Sequence, residues 1–187
     1  MEPGTIFCAH CTIIQPPLED SHFIRLALPV TYDIDLKELD KNYFHLQTNL
    51  HPDKLKNKTG KEQALSLQHS ILLNEAYNIL KSPLKRAEYL LELQDIKVKD
   101  DRNIKANSIL LLEAMEKREA LADCNTINDL EVLENLTIKD KDIAFSNFKA
   151  SFEAQEFDEA VSEIIKIRYI DKLLQEIKNK KTQVKMS

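Results

Sequence analysis

Leu46-Gln47-Thr48-Asn49-Leu50-His51-Pro52-Asp53-Lys54 closes one amphipathic run and opens a polar stretch, and its chemistry suits a loop that docks rather than a site that makes or breaks bonds. Proline at 52 holds φ near about −65° and biases His51 toward extended backbone, so a helix arriving from the N-terminal side stops there. On that stiff corner Asp53 offers a short carboxylate able to accept the parallel N–H bonds of an arginine on another protein, with the His51 ring beside it. The same tripeptide also fits an ordinary helix–turn–helix corner, so its flanks must carry the argument.

Upstream, Leu36, Leu39, Tyr43, Leu46 and Leu50 recur at helical spacing and predict a helix over 36–50, with Asp35 where an N-cap belongs. Downstream, beyond the polar stretch 54–60, Leu65, Leu72, Leu73, Ala76, Tyr77 and Leu80 share one face of a second helix. Two antiparallel helices with a polar loop at one end follow. Ser82 and Pro83 restart the chain as N-cap and first helical residue, and Leu84, Ala87 and Leu91 form a third apolar stripe. Ahead of the pair, 23–28 is a short apolar turn able to pack across it.

Among the 187 residues 30% are charged and glycine occurs only twice, with no convincing alternating pattern, so the chain reads as all-α. It carries no Gly-rich phosphate loop, no His-Glu-x-x-His helix and no nucleophile elbow, which argues against catalysis by the chain itself. A net charge of −5 argues against nucleic acid as a partner, and the lysine-rich end 178–185 reads as a frayed, solvated helix terminus. No apolar run is long enough to span a bilayer and no signal-peptide pattern occurs, so no membrane partner is expected. Glu2, Glu19 and Asp20 do not suit an acid-poor transit peptide; the expectation is bacterial cytoplasm, with mitochondrial matrix as the alternative.

Beyond a charged connection at 95–106, helices are expected over about 107–124, 127–152 and 157–180, enough for a three-helix bundle. Thr126 can cap the second, and Ala160, Ile164, Ile167, Ile170, Leu174 and Ile177 stripe the third. The first has too many apolar faces for a helix that only covers a core. Leu110, Ala114, Leu121 and Cys124 lie together, interrupted by Lys117, which must snorkel. Leu111, Leu112 and Met115 wind onto the opposite half, bordered by Glu116, Glu119 and Asp123. An exposed apolar strip with an acidic rim is the makeup of a partner-binding surface, each side chain contributing about 1.5–3 kcal/mol if fully buried. The competing reading buries these three residues in a fatter core.

The stretch from about 21 to 93 resembles a J domain, and Leu73-Asn74-Glu75-Ala76-Tyr77-Asn78-Ile79-Leu80-Lys81-Ser82-Pro83-Leu84-Lys85-Arg86-Ala87-Glu88-Tyr89-Leu90-Leu91 is similar to the version in HscB/Jac-type co-chaperones of iron–sulfur cluster assembly. The resemblance implies a short N-terminal segment (1–20), a J domain (21–94), a linker (95–106) and a C-terminal three-helix bundle (107–180). It implies that His51, Pro52 and Asp53 dock on a DnaK/HscA-class heat-shock ATPase and stimulate its hydrolysis, the chain activating an enzyme without being one. Basic residues usual on the helix before the tripeptide are missing from Gln47-Thr48-Asn49-Leu50; charge is expected from Lys37, Lys41 and His45, with Lys54, Lys56, Lys58 and Lys61 beyond the loop as partial substitutes. For the bundle it implies that Leu111, Leu112, Met115, Glu116, Glu119, Asp123 and Tyr169 bind an IscU-type cluster scaffold; Tyr169 read from spacing alone could equally be core. A monomer or weak dimer is expected. The rivals are a general J-domain co-chaperone for other clients and a metal-binding protein.

That last rival rests on Cys8-Ala9-His10-Cys11, which has zinc-knuckle spacing but only half a ligand set. It is similar to the second half of a four-cysteine module found ahead of the J domain in some family members. Three readings remain: a relic that binds nothing, a site completed by His10 or His22, and a site shared between two chains. No resident cofactor is expected unless zinc binds at Cys8 and Cys11.

Overall fold

The computed structural model describes residues 6–8, 10, 12–51, 58–98 and 108–186. Pro52, Asp53, Lys54, Cys11 and most of the 95–106 connection lie outside the described residues, as do the side chains of Leu110 and Leu111. The chain divides into two compact units, residues 1–90 and 91–187.

In the first unit, Ser21 caps α1 (His22–Arg25), the apolar turn ahead of the helical pair. Phe23 and Leu26 are fully buried. Asp35 caps α2 (Leu36–Asn49), its carboxylate accepting the Lys37 N–H at 2.8 Å. Thr59 opens α3 (Gly60–Lys81) with a capping box to Glu62, where the Thr59 N–H and hydroxyl hold the Glu62 carboxyl below its ordinary value. Pairs between α2 and α3 run in opposite directions, from Asp40 with Tyr77 through Gln47 with Asn74 to Leu50 with Ser66. Leu39, Leu50, Leu73, Ala76 and Leu80 form the dry side of this hairpin, and α1 packs against α3. Leu36 departs from the sequence expectation: at the first turn it is 46% exposed, because α3 does not cover that end of the stripe.

Ser82 and Pro83 do restart the chain, as α4 (Pro83–Glu92). Its Arg86 is buried, donates to the Leu80 carbonyl at 2.6 Å and lies over the Tyr32 ring. Burial lowers its pKa and raises that of Tyr32. The Tyr89 hydroxyl accepts the His22 N–H at 2.9 Å, tying α4 to α1.

The second unit holds α5 (Ser108–Asp123), α6 (Ile127–Glu153) and α7 (Phe157–Met186). Ion pairs Glu134–Lys181 and Lys141–Asp171 show α6 and α7 antiparallel; Glu113–Lys166 and Arg118–Glu176 show α5 parallel to α7. The bundle is therefore up-down-up. Its core includes Leu121, Cys124, Leu130, Leu173 and Ile177, with Phe148, Ile164 and Ile167 fully buried as well. Leu173 joins the buried α7 stripe, with Leu174 partly buried against the same core. The lysine-rich terminus is not frayed: the Lys180 ammonium donates to the Leu121 and Ala122 carbonyls at 2.6 and 2.9 Å, and Lys181 pairs with Glu134. The last carbonyls of α5 lack intrahelical donors, and the cation supplies them. No helix among the described residues is long and apolar enough to cross a membrane.

Candidate functional site

The first candidate surface lies on α2, which delivers the chain to His51. Lys37 and Lys41 are exposed one helical turn apart, and Phe44, 60% exposed, continues the same face. Apolar periodicity had no use for Phe44, since it falls off the buried stripe; an exposed large aromatic beside two cations is the signal that marks it. Gln47 is turned away from this face and donates to Asn74 at 2.7 Å, while the Tyr43 hydroxyl reaches the same carbonyl and its ring stacks on Tyr77 with centroids 4.0 Å apart. Gln47 thus belongs to the helix–helix seam. His51 is exposed at the start of the loop.

Asp40 is gripped by the Tyr77 hydroxyl at 2.8 Å and by Lys81 at 3.3 Å, with the tyrosine bond foremost in holding its carboxyl below the ordinary value. At the loop end of the seam, the buried Ser66 hydroxyl donates to the Leu50 carbonyl at 3.0 Å. One turn further along α3, buried His69 bonds the Gln15 carbonyl at 2.8 Å. Neither residue was expected to be buried.

The second candidate surface is α5. Leu112 and Met115 are 59% and 53% exposed, and Glu116, Glu119 and Asp123 are exposed around them. Leu121 and Cys124 face inward, each 8% exposed. Lys117 interrupts the inward side and reaches out to pair with Asp140 of α6, as a snorkelling lysine must. Tyr169 is half-buried and lines a solvent-open cleft of about 440 Å³ between α5 and α7, together with Ala114, Arg118 and Leu173. Tyr169 therefore adjoins the side of α5 that carries Ala114 and Arg118, while Leu112 and Glu116 point elsewhere.

At the N-terminus, Phe7 and Ile14 form an antiparallel bridge. Cys8 N–H donates to the Ile13 carbonyl and Thr12 N–H to that of Cys8, each at 2.9 Å, with Thr12 at φ 55°. Among the described residues no group of three or more His, Cys, Asp or Glu is placed to hold a metal ion. The His22 ring lies tilted against that of Tyr89, with centroids 4.3 Å apart, and His10 is exposed. Cys11, the other half of the pair, lies outside the described residues.

Residues 26–89 match the family model of the DnaJ domain and residues 106–178 that of the HSCB C-terminal oligomerisation domain. The chain is similar to the mouse iron–sulfur cluster co-chaperone protein HscB, at 35% identity over 178 residues, covering 94% of this chain and 76% of the mouse protein. It is 34% identical over 159 residues to a co-chaperone protein HscB homolog of Neisseria meningitidis, covering 83% of this chain and 96% of that protein. The crystal structure of human co-chaperone protein HscB is similar with a TM-score of 0.88 at 29% identity, over 94% of this chain and 90% of the human one. The Saccharomyces cerevisiae Jac1 co-chaperone shares the fold, with a TM-score of 0.70 at 22% identity, over 85% of this chain and 92% of that one. With a J-type helical hairpin ahead of an up-down-up bundle and relatives of this kind across nearly its whole length, the chain belongs to the HscB family of iron–sulfur cluster co-chaperones.

Proposed function

We propose that this chain couples an iron–sulfur cluster scaffold to a heat-shock ATPase. The J domain (21–94) engages a DnaK/HscA-class chaperone through His51, Pro52 and Asp53, with Lys37, Lys41 and Lys54 contributing charge, and stimulates ATP hydrolysis by the partner. The C-terminal bundle (107–180) binds an IscU-type scaffold through Leu111, Leu112, Met115, Glu116, Glu119, Asp123 and Tyr169. The observation that carries the reading is Leu112 and Met115, more than half exposed on a helix whose opposite side is packed into the bundle, with carboxylates around them. Large apolar groups in such a setting are what a protein partner covers. Holding chaperone and scaffold on one polypeptide raises their effective concentration for each other, so two weak contacts suffice. The compartment is one holding both partners, bacterial cytoplasm or mitochondrial matrix.

Single-turnover ATPase assays with a DnaK-class chaperone, run with and without scaffold protein, test the reading. Asp53→Ala abolishes stimulation and leaves scaffold binding intact. Replacing Leu112 and Met115 together by alanine does the reverse, weakening scaffold binding by at least about tenfold, while the exposed positions cost the fold less than about 0.5 kcal/mol. Equal loss of both activities in either variant would contradict the division of labour.

A further inference from the structure

The end of α2 is held from the opposite helix, at the last described peptide before Pro52. A helix's final carbonyls have no intrahelical donor, and Leu50, only 2% exposed, is shielded from water. Its carbonyl instead accepts the Ser66 hydroxyl of α3 at 3.0 Å, from a side chain itself 3% exposed. A serine inside a helix commonly bonds back to its own preceding turn; Ser66 reaches across the hairpin. Further from the loop the same two helices are joined by bonds between side chains, Tyr43 and Gln47 to Asn74 and Tyr77 to Asp40. At the loop end, a side chain grips backbone.

That distinction gives the contact its consequence. The Leu50 carbonyl is part of the planar peptide that enters His51, so fixing the oxygen fixes the plane. The next residue precedes a proline and is confined to extended backbone, and the proline fixes its own φ. Ser66 therefore acts on the peptide through which α2 hands the chain to His51. We propose that Ser66 is a positioning residue for stimulation of the chaperone ATPase, aiming the tripeptide rather than touching the partner. The proposal rests on the function proposed above for the J domain.

The test compares full-length wild type with Ser66→Ala, Ser66→Thr, Tyr77→Phe and Asp53→Ala in single-turnover hydrolysis by a DnaK-class chaperone, titrated to saturation, alongside thermal unfolding of each. Ser66→Ala lowers maximal stimulation about three- to tenfold, the loss expected for one shielded hydrogen bond that biases a conformation, and moves the half-saturating concentration less. Ser66→Thr keeps the hydroxyl and restores stimulation. Tyr77→Phe removes a bond from the other end of the same seam, lowers the unfolding temperature, and leaves maximal stimulation unchanged. If Ser66→Ala stimulates like wild type while Asp53→Ala does not, Ser66 only fastens two helices and the proposal is overturned with the function standing. If Asp53→Ala still stimulates, the function reading falls and takes the proposal with it.

Discussion

Single residues carry the polar fastenings of the first unit, and these escaped the sequence pattern. Ser66 and His69 are polar, so apolar periodicity runs the α3 stripe through Leu65, Leu72 and Leu73 instead. Their partners are carbonyls 16 and 54 residues away, beyond the reach of any local pattern. His69 has a testable consequence. Burial lowers its pKa, the Gln15 carbonyl opposes that shift, and the nearby Arg25 charge adds to it. The folded state therefore resists protonation that the unfolded chain accepts, and stability is lost as pH falls below the unfolded value of 6.5. Urea unfolding midpoints measured from pH 7.5 down to 5.5 should decline for wild type and stay nearly level for His69→Gln, whose amide can still donate to Gln15. The depressed carboxyls of Asp40, Glu62 and Asp129 have unfolded values of 3.8, 4.5 and 3.8, and act at lower pH. Parallel slopes in both proteins would remove His69 from the account.

At the scale of elements, periodicity and capping chemistry were informative wherever they were local. Asp35, Ser82 with Pro83, and Thr126 begin helices where their chemistry says they should. The surplus apolar half of α5 points out of the bundle at Leu112 and Met115, and Lys117 snorkels. What periodicity missed were relations between helices: Leu36 uncovered, Leu173 buried alongside the expected stripe, and Lys180 capping α5 instead of fraying into solvent. Thr126 offers the cleanest energetic check at this scale. Its hydroxyl accepts the Asp129 N–H at 3.1 Å at the start of the longest core-facing helix pair. Thr126→Ala should cost about 1 kcal/mol in chemical denaturation, with Leu112 and Met115 still exposed and scaffold binding unchanged. A change below the error of the measurement would mean that α6 is nucleated by packing alone.

For the whole molecule, charge governs encounter more than docked geometry. The chain is net −5, and on the exposed face of α2 only Lys37 and Lys41 offset that field ahead of the loop. Thr48 continues this face, is exposed, and bonds only back to the Phe44 carbonyl among the described contacts. Thr48→Arg should raise the association rate with a DnaK-class chaperone by about two- to tenfold at low salt, with the gain shrinking as ionic strength screens it. A gain confined to the dissociation rate would place the arginine in the docked contact instead. Amino-acid order along the chain was enough for the all-α class, the paired helices around His51-Pro52-Asp53, the three-helix second half and the outward apolar strip of α5, because helical spacing, caps and proline act over a few residues. Which carbonyl a buried hydroxyl or imidazole satisfies, that Gln47 belongs to a seam, and that Tyr169 lines a cleft beside Arg118 depended on chain segments brought together across long separations. Shielded hydrogen bonds and cleft walls exist only once those segments have met.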